Sequence, residues 1–389
     1  MVGLVTDAAA TAATSRGAHA APARRGHHHR RRVSRPRRVR RHRTVSTAAA
    51  SGAAPLVFGI YPGGAAGAVG PGGPVAPEDP AKRLDALQQL RAPGVPFVLH
   101  IYAGYTGPGG WSAAQQVGGD IAQYTAAGFQ VELVLAYRPA DGGSPQDVSG
   151  FEAFVRQTLA SFGPNPGFVS LQVTNEANVG GAPNASDGYY AGAEDALIGG
   201  VTAAGAAIRA GGFHQVRVGF NWAAAGTGNQ RAFWSYLGSR GGPAFVSALS
   251  WVGLDIYPGT WGAPLSGSLA NGTTSAMRSA LTELRNVYLP LARIPFSVPL
   301  HVSESGYPTG PGRTPAMQVT ALRAAVDAVE AGRATFNVTD YRWFDLRDAL
   351  SSSSDFESQY GLMTDAYVPK PAFFAYRDLV AQLGRRAQA

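Results

Sequence analysis

From Pro55 onward, short apolar runs rich in β-forming residues alternate eight times with segments of helical character. Near-continuous apolar runs of this kind are typical of parallel strands that are covered on both faces. The β-type runs are residues 56–61, 95–102, 129–137, 168–175, 215–221, 249–257, 296–303 and 339–345. The helical segments are residues 80–91, 112–127, 145–162, 189–210, 229–240, 274–289, 315–331 and 371–383.

This alternation over residues 55–385 predicts an α/β protein with a single (β/α)8 TIM-barrel domain, a fold that commonly uses about 250 residues or more. A doubly wound open sheet is the alternative. Such a sheet normally has a G-x-G-x-x-G phosphate-binding loop after its first strand. Here residues 62–67 read Pro-Gly-Gly-Ala-Ala-Gly, without that spacing. We therefore predict the barrel.

Residues 1–54 differ from the rest of the chain. Residues 1–50 hold 12 of the 33 basic and one of the 25 acidic residues, which leaves 21 basic and 24 acidic residues beyond them. The net charge of +8 therefore belongs to this segment. It can bury too little apolar surface to offset chain entropy, so we predict a disordered, arginine-rich extension. The small residues after the arginines also make a poor signal peptide.

Several classes of site are excluded by what the sequence lacks. The chain has no cysteine, which excludes disulfides, thiolate metal sites and a cysteine nucleophile. It has no G-x-S-x-G elbow, Walker A loop, H-E-x-x-H motif or EF-hand loop. No apolar run approaches the ~18 residues of a membrane-spanning helix. We predict no cofactor, no metal and no transmembrane segment.

The residues that end the eight runs should meet, because the carboxyl ends of barrel strands form the active site. Aromatic rings stack on the faces of sugars, and amides and carboxylates bind sugar hydroxyls. Such side chains dominate the predicted strand ends, which predicts an oligosaccharide or polysaccharide substrate. These residues are Tyr61, His100, Tyr102, Arg138, Asn175, Glu176, Asn221, Asp255, Tyr257, Glu304, Trp343 and Asp345.

Two glutamates, Glu176 and Glu304, each close an apolar run, where an unpartnered carboxylate is costly. Strands four and seven lie on roughly opposite sides of an eight-stranded ring, so the two side chains could flank a substrate. Cleavage of a glycosidic bond needs two carboxyl groups, about 5–5.5 Å apart when the configuration is retained.

With these motifs, the sequence resembles glycoside hydrolase clan A, the retaining (β/α)8-barrel glycosidases. That clan ends strand four with an Asn-Glu pair and strand seven with a nucleophilic glutamate. The resemblance implies that Glu176 is the acid/base, Glu304 the nucleophile and Asn175 a ligand of the sugar 2-hydroxyl. It also implies that Tyr257 lies near the nucleophile and that Trp343 lies under the sugar ring. The family within the clan, the sugar and the choice between internal and terminal cleavage stay open.

Arg138 has two possible roles at the end of strand three. Together with Tyr257 it is a candidate for stabilising the ionised form of Glu304, by opposite charge and by hydrogen bonding respectively. In that position it would also touch substrate. Alternatively, Arg138 pairs with Glu132 or Asp141.

Three other residues, His100, Trp343 and Asp255, are open to two interpretations, whereas Asn221 has one. His100 and Asn221 are predicted to bind substrate, although a histidine in such a position is more often structural. Trp343 would instead belong to the core if it faced the helices. Asp255 is either a substrate contact or a residue that orients its neighbours.

The function predicted from these features is that of a retaining β-glycosidase. A barrel of the cell envelope that binds carbohydrate with weak or no catalysis is the first alternative. A nucleic-acid or anionic-surface binder acting through the arginine-rich segment is the second. We expect no nucleic-acid partner, leave contact with an anionic surface open, and expect a secreted or envelope-associated protein.

Overall fold

The computed structural model describes residues 54–64, 75–183, 185–224, 226 and 228–385. The predicted extension, residues 1–54, lies outside these residues except for Ala54. The described chain forms eight parallel strands in a closed barrel, in sequence order, with the first strand paired to the eighth. The predicted (β/α)8 barrel is therefore confirmed.

The strands are β1 Val57–Ile60, β2 Phe97–Tyr105, β3 Gln130–Tyr137, β4 Phe168–Val173, β5 Arg217–Ala223, β6 Trp251–Ile256, β7 Leu300–Ser305 and β8 Val338–Trp343. The helices are α1 Pro80–Leu90, α2 Ala113–Ala126, α3 Pro145–Phe162, α4 Ala193–Gly211, α5 Gln230–Arg240, α6 Gly242–Ala248, α7 Leu269–Glu283, α8 Leu289–Leu291, α9 Pro315–Phe336 and α10 Pro371–Leu383. A π-helical turn, Leu284–Tyr288, joins α7 to α8. None of the helices in the described ranges is long and apolar enough to cross a membrane.

The starts of three helices follow from proline. Pro145, Pro315 and Pro371 each occupy the first turn of their helix, where a backbone N–H would have no partner within the helix. Ser144 and Thr314 precede two of these prolines and accept a backbone N–H through their side chains. The predicted helix starts at the three prolines are confirmed.

Several element boundaries differ from the prediction by a few residues, and two differences have a clear structural reason. Strand β7 begins at Leu300 instead of residue 296, because Phe296 is 55% exposed and Pro299 has no N–H to give a neighbouring strand. The short helix α6 was not predicted. Its seven residues are too few to display a helical period in the sequence.

The inside of the barrel is charged as well as apolar. Arg342 Nη2 lies 2.9 Å from Asp340 Oδ1, and its Nε lies 3.5 Å from Glu132 Oε1. His301 Nε2 lies 3.1 Å from Asp340 Oδ2. A side chain at Gly59 would overlap the Arg342 side chain, so glycine makes room for this cluster. Because buried charges need partners, these residues depend on one another.

The other face of β8 packs on the helices. Tyr341 and Trp343 alternate with the inward-facing Arg342 and lie within 6.5 Å, between ring centroids, of Tyr376 on α10. Phe58 on β1 joins the same aromatic layer, 5.7 Å from Tyr376. The period of two along a strand therefore separates an inner charged row from an outer aromatic row.

Gly219 on β5 provides the first testable expectation. A Cβ at this position would overlap the indole of Trp251, whose ring stacks on His301 at 4.5 Å. We expect Gly219→Ala to lower the free energy of unfolding by about 1–3 kcal/mol, through overpacking, as measured by urea denaturation. The matched control is Gly104→Ala on β2, where a Cβ meets nothing within 4 Å. Equal stabilities of the two variants would contradict the expectation.

Candidate active site

The chain leaves β4 in a conformation that residues other than glycine rarely adopt. Thr174 has a φ of 64° and Glu176 a φ of 50°, both in the left-handed region. Each such residue costs about 1–3 kcal/mol and persists only where its surroundings enforce it. Here the Oδ2 atom of buried Asp187 accepts the backbone N–H groups of Tyr137 at 2.6 Å and Asn175 at 2.7 Å. These bonds hold the turn that directs Glu176.

Glu176 is partly buried and has two polar anchors. Its backbone N–H donates to Asn221 Oδ1 at 2.8 Å, and its Oε2 atom accepts a hydrogen bond from the Ser186 hydroxyl. Burial and then repulsion from Glu304 raise the pKa of Glu176 to about 8, although the Ser186 bond opposes the change. Glu176 is therefore protonated at neutral pH and can give up a proton.

Glu304 lies near the end of β7 and is surrounded by hydrogen-bond donors. Tyr257 Oη donates to Oε2 at 2.5 Å, and the hydroxyl of Tyr102 donates to Oε1. His100 Nε2 lies 3.7 Å from Oε1. Burial by itself would raise the pKa of Glu304, but His100 and the two tyrosines outweigh it and lower that pKa below its usual value. Glu304 is therefore the ionised member of the pair.

Behind Glu304, a chain of buried charges continues into the barrel. His100 Nδ1 lies 2.9 Å from Glu132 Oε1, and Glu132 in turn lies beside Arg342. Burial would lower the pKa of His100, but its hydrogen bond to Glu132 and the nearby negative charge of Glu304 raise it overall. A buried imidazole that holds its proton more tightly favours the charged form of Glu304.

A third carboxyl group, that of Asp255 on β6, completes the cluster. One carboxylate oxygen each from Glu176, Asp255 and Glu304 lie within 4.8 Å of one another. Asp255 accepts hydrogen bonds from Ser303 Oγ at 2.6 Å and from the Asn221 side chain. Burial, followed by repulsion from the two glutamates, raises the pKa of Asp255 well above its usual value. Asp255 orients its neighbours, which is one of the two roles considered for it.

Three carboxylate oxygens at this spacing could also be ligands of a hard cation such as Ca²⁺. Hydrogen-bond donors already occupy both oxygens of Glu304 and both oxygens of Asp255. The donor arrangement therefore suits a cluster that shares protons better than a site that binds a metal.

An irregularity between β6 and β7 aims Glu304 at the cleft. Leu254 pairs with Val302, whereas the next residue, Asp255, pairs with Glu304, so Ser303 is an extra residue in β7. An extra residue of this kind breaks the strict alternation of strand faces. As a result, Ser303 and Glu304 both reach polar partners inside the barrel end.

We predicted that Arg138 lies beside Glu304. It does not, and it pairs with neither Glu132 nor Asp141, the two acids considered as alternatives. Its Nε atom lies 3.4 Å from Asp187 Oδ1, and its Nη2 donates to Ala185 O at 3.0 Å. These contacts place its charge on the Glu176 side of the site, where it lowers the pKa of Glu176 in opposition to burial. Both partners come from the loop after β4. Glu132 and Asp141 are nearer in the sequence, so sequence proximity pointed to the wrong partners.

His100 and Asn221 lie beneath the cleft and are almost inaccessible, with exposures of 1% and 0%. The Asn221 amide donates to Asn175 Oδ1 and to Asp255, while its oxygen accepts the Glu176 N–H. Its hydrogen-bonding groups are therefore used within the protein. The structure places both residues as supports of the glutamates instead of the substrate contacts that we predicted.

Trp343 also lies away from the cleft. It is 1% exposed and packs on Tyr376, because it falls on the outer face of β8. The next residue, Phe344, faces the barrel end instead. Its ring stacks on Tyr61 at 5.3 Å and meets Tyr257 edge-on at 6.2 Å. The core alternative considered for Trp343 is therefore the one that the structure shows.

The alternation of residues in β8 could have predicted that Phe344, and not Trp343, faces the inside of the barrel end. Asp340 and Arg342 are charged, so they belong to the polar inner row, and Phe344 continues their period of two. For Ser186 and Asp187 no such signal exists. They lie in an irregular loop and reach Glu176 and its turn only after folding.

The barrel resembles several solved structures. A β-glucuronidase from an uncultured Clostridium species has a TM-score of 0.52 at 11% identity, over 84% of this chain and 50% of that one. A β-glucosidase from Exiguobacterium marinum has a TM-score of 0.54 at 11% identity, over 78% and 86%. A fungal β-1,4-galactanase has a TM-score of 0.56 at 12% identity, over 84% of this chain and all of the other.

This chain spans about half the length of the β-glucuronidases that it matches. No protein-family model matches the chain, and no curated protein matches its sequence. Similarity at these identities shows a shared fold. The barrel implied by the resemblance to clan A glycosidases is therefore confirmed as a fold.

The electrostatic coupling of the two glutamates can be measured directly. In Glu304→Gln the repulsion that helps to raise the pKa of Glu176 is lost, so we expect this pKa to fall below about 8. In Ser186→Ala a hydrogen bond to the ionised form is lost, so the pKa should rise. Carboxyl ¹³C NMR titration of glutamate-labelled protein measures both. An unchanged pKa of Glu176 in Glu304→Gln would show that the two groups are not coupled.

Proposed function

We propose that the protein is a retaining glycoside hydrolase that cleaves β-linked glycosides by double displacement. The observation that carries the proposal is the pair Glu176 and Glu304, with carboxylate oxygens within 4.8 Å and pKa values moved in opposite directions. Retaining glycosidases hold the two carboxyl groups about 5–5.5 Å apart, whereas inverting enzymes need about 6.5–9.5 Å. The similar folds of a β-glucuronidase, a β-glucosidase and a β-1,4-galactanase support a β-glycoside substrate.

In the first step, a carboxylate oxygen of Glu304 attacks the anomeric carbon. Glu176 gives its proton to the glycosidic oxygen, the bond to the leaving group breaks, and a glycosyl ester forms on Glu304. In the second step, Glu176 takes a proton from water, and the water oxygen attacks the same carbon. The ester bond breaks, Glu304 recovers its charge and Glu176 its proton, so the cycle closes.

The two roles of Glu176 follow from its coupling to Glu304. While Glu304 is ionised, its charge helps to raise the pKa of Glu176, which keeps the acid protonated. Once Glu304 is esterified, that charge is gone and the pKa of Glu176 falls. The same group then acts as a base in the second step, without any rearrangement of the protein.

Asn175 and the aromatic rings near the glutamates complete the proposal. The Asn175 amide oxygen accepts from Asn221, and its nitrogen donates one hydrogen to Ala185 O at 2.9 Å. The second amide hydrogen is then available for a sugar hydroxyl, the role that the clan resemblance implies. Phe344 and Tyr61 are half-buried stacked rings and could support the apolar face of a sugar.

Removal of either carboxylate should abolish most turnover. We expect Glu176→Gln to lower kcat/KM by about 10²–10⁴-fold, through loss of proton transfer, and Glu304→Gln by about 10³-fold or more, through loss of the nucleophile. Hydrolysis of aryl β-glycosides measures both effects. The control is Glu330→Gln on the surface of α9, which should retain the parent rate. Parent-like rates in both active-site variants would disprove the assignment.

A separate experiment assigns the nucleophile. An activated 2-fluoro β-glycoside should form a slowly hydrolysed ester on Glu304, because the fluorine destabilises the charged transition state of both steps. Peptide mass spectrometry of the trapped protein locates the ester. A label on Asp255 or Glu176 would overturn the role given to Glu304. Polysaccharide binding without turnover or labelling would favour a carbohydrate-binding barrel.

A further inference from the structure

An exposed tryptophan lies close to the proposed reaction centre. Trp261 follows β6 and is 48% exposed, although water is a poor environment for a large ring. Its backbone N–H donates to Tyr257 O at 3.1 Å, and the Tyr257 hydroxyl contacts Glu304. Trp261 is therefore joined by one backbone hydrogen bond to Tyr257, the residue that donates to the proposed nucleophile.

A row of aromatic rings connects Trp261 with the centre of the site. Trp261 lies 6.0 Å from Phe356, which lies 6.5 Å from Tyr360, measured between ring centroids. Tyr360 in turn lies 5.5 Å from Tyr257 and 6.0 Å from Phe344. Trp261 is exposed and Phe356 partly exposed, so these two rings offer adjacent surfaces to a chain of sugars, whose faces are apolar and whose edges carry hydroxyls. Tyr360 is buried, with an exposure of 4%, and connects them to Tyr257.

A cavity lies on another part of the barrel end, among residues that follow β4 and β5, and neither glutamate lines it. It has a volume of about 440 Å³ and begins at the two residues that follow Glu176. This volume lies within the range of about 300–1,000 Å³ that is usual for small-molecule sites. Polar and aromatic side chains suited to sugar hydroxyls and sugar faces line it, among them Asn178, Tyr190, Glu194, Asn229 and Tyr236.

We propose that the substrate is a polymeric β-linked glycan that crosses the glutamate pair and is cleaved internally, with Trp261 as the platform for a sugar unit away from the cleaved bond. This inference rests on the proposed function. Candidate sugar-binding surfaces on two parts of the barrel end, one after β4 and β5 and one after β6 and β8, favour internal cleavage, because an enzyme that removes terminal sugars needs one closed end. The aromatic row and the polar cavity would hold the two parts of the chain.

The test compares Trp261→Ala with the matched control Phe296→Ala. Phe296 is a similarly exposed aromatic residue, 55% accessible, but it lies before β7, at the amino ends of the strands. Soluble β-glucan, xylan, mannan and galactan are assayed beside an aryl β-glycoside. On the polymer that the parent cleaves best, Trp261→Ala should lower kcat/KM by about fivefold to tenfold, with a smaller loss on the aryl glycoside. Phe296→Ala should match the parent on both.

The products give a second result. Internal cleavage releases oligosaccharides early, and the viscosity of the polymer falls before many reducing ends appear. Release of single sugars from chain ends would overturn the inference, as would equal losses in the two variants. Cleavage of the aryl glycoside but of no polymer would support the proposed function and contradict the inference of a polymeric substrate.

Binding separates the two proposals if no turnover is found. The Glu304→Gln variant is run on native gels that contain each polymer, alone and combined with Trp261→Ala. Retardation by one polymer that the second substitution removes supports the platform even when the parent is inactive. Absence of retardation in all four polymers would overturn the inference, whatever the fate of the catalytic assignment.

Discussion

A buried and a partly buried carboxyl group whose oxygens approach within 4.8 Å cannot both be ionised without a large energetic cost, and the candidate site is organised around this constraint. The donors are divided unequally between the two groups. Glu304 receives two tyrosine hydroxyls and a nearby imidazole, whereas Glu176 receives a single serine hydroxyl. The charge therefore stays on one residue and the proton on the other. This asymmetry suits the acid and the nucleophile of the proposed mechanism.

The barrel interior supports this division. His100 connects Glu304 to Glu132, and Glu132 continues through Arg342 to Asp340, so charged groups alternate in sign from the site to the middle of the barrel. Each charge in such a series compensates the burial of its neighbour. The strained turn after β4 is held in a comparable way by the buried carboxylate of Asp187. Both catalytic candidates thus depend on polar groups that are almost completely buried.

Much of the site could be anticipated from strand ends, but the roles of individual residues could not. Glu176, Glu304 and Tyr257 could be placed together because the ends of parallel strands in a closed barrel meet. The prediction failed where it needed the direction of a side chain. Trp343 lies one residue away from the inner row of β8 and faces the helices, whereas Phe344 enters the cleft. Arg138 finds its partner in a loop whose path has no local signature.

The sequence by itself determined the eight-fold alternation, the helix starts at prolines and the identity of the polar residues at strand ends, because all of these depend on neighbours along the chain. The tertiary structure decided which of those residues holds a proton, which holds a charge and which supports the others. The two hydroxyls on Glu304 come from residues 202 and 47 positions away. The pKa of a carboxyl group depends on what surrounds it in space, and only the closed barrel brings those groups together.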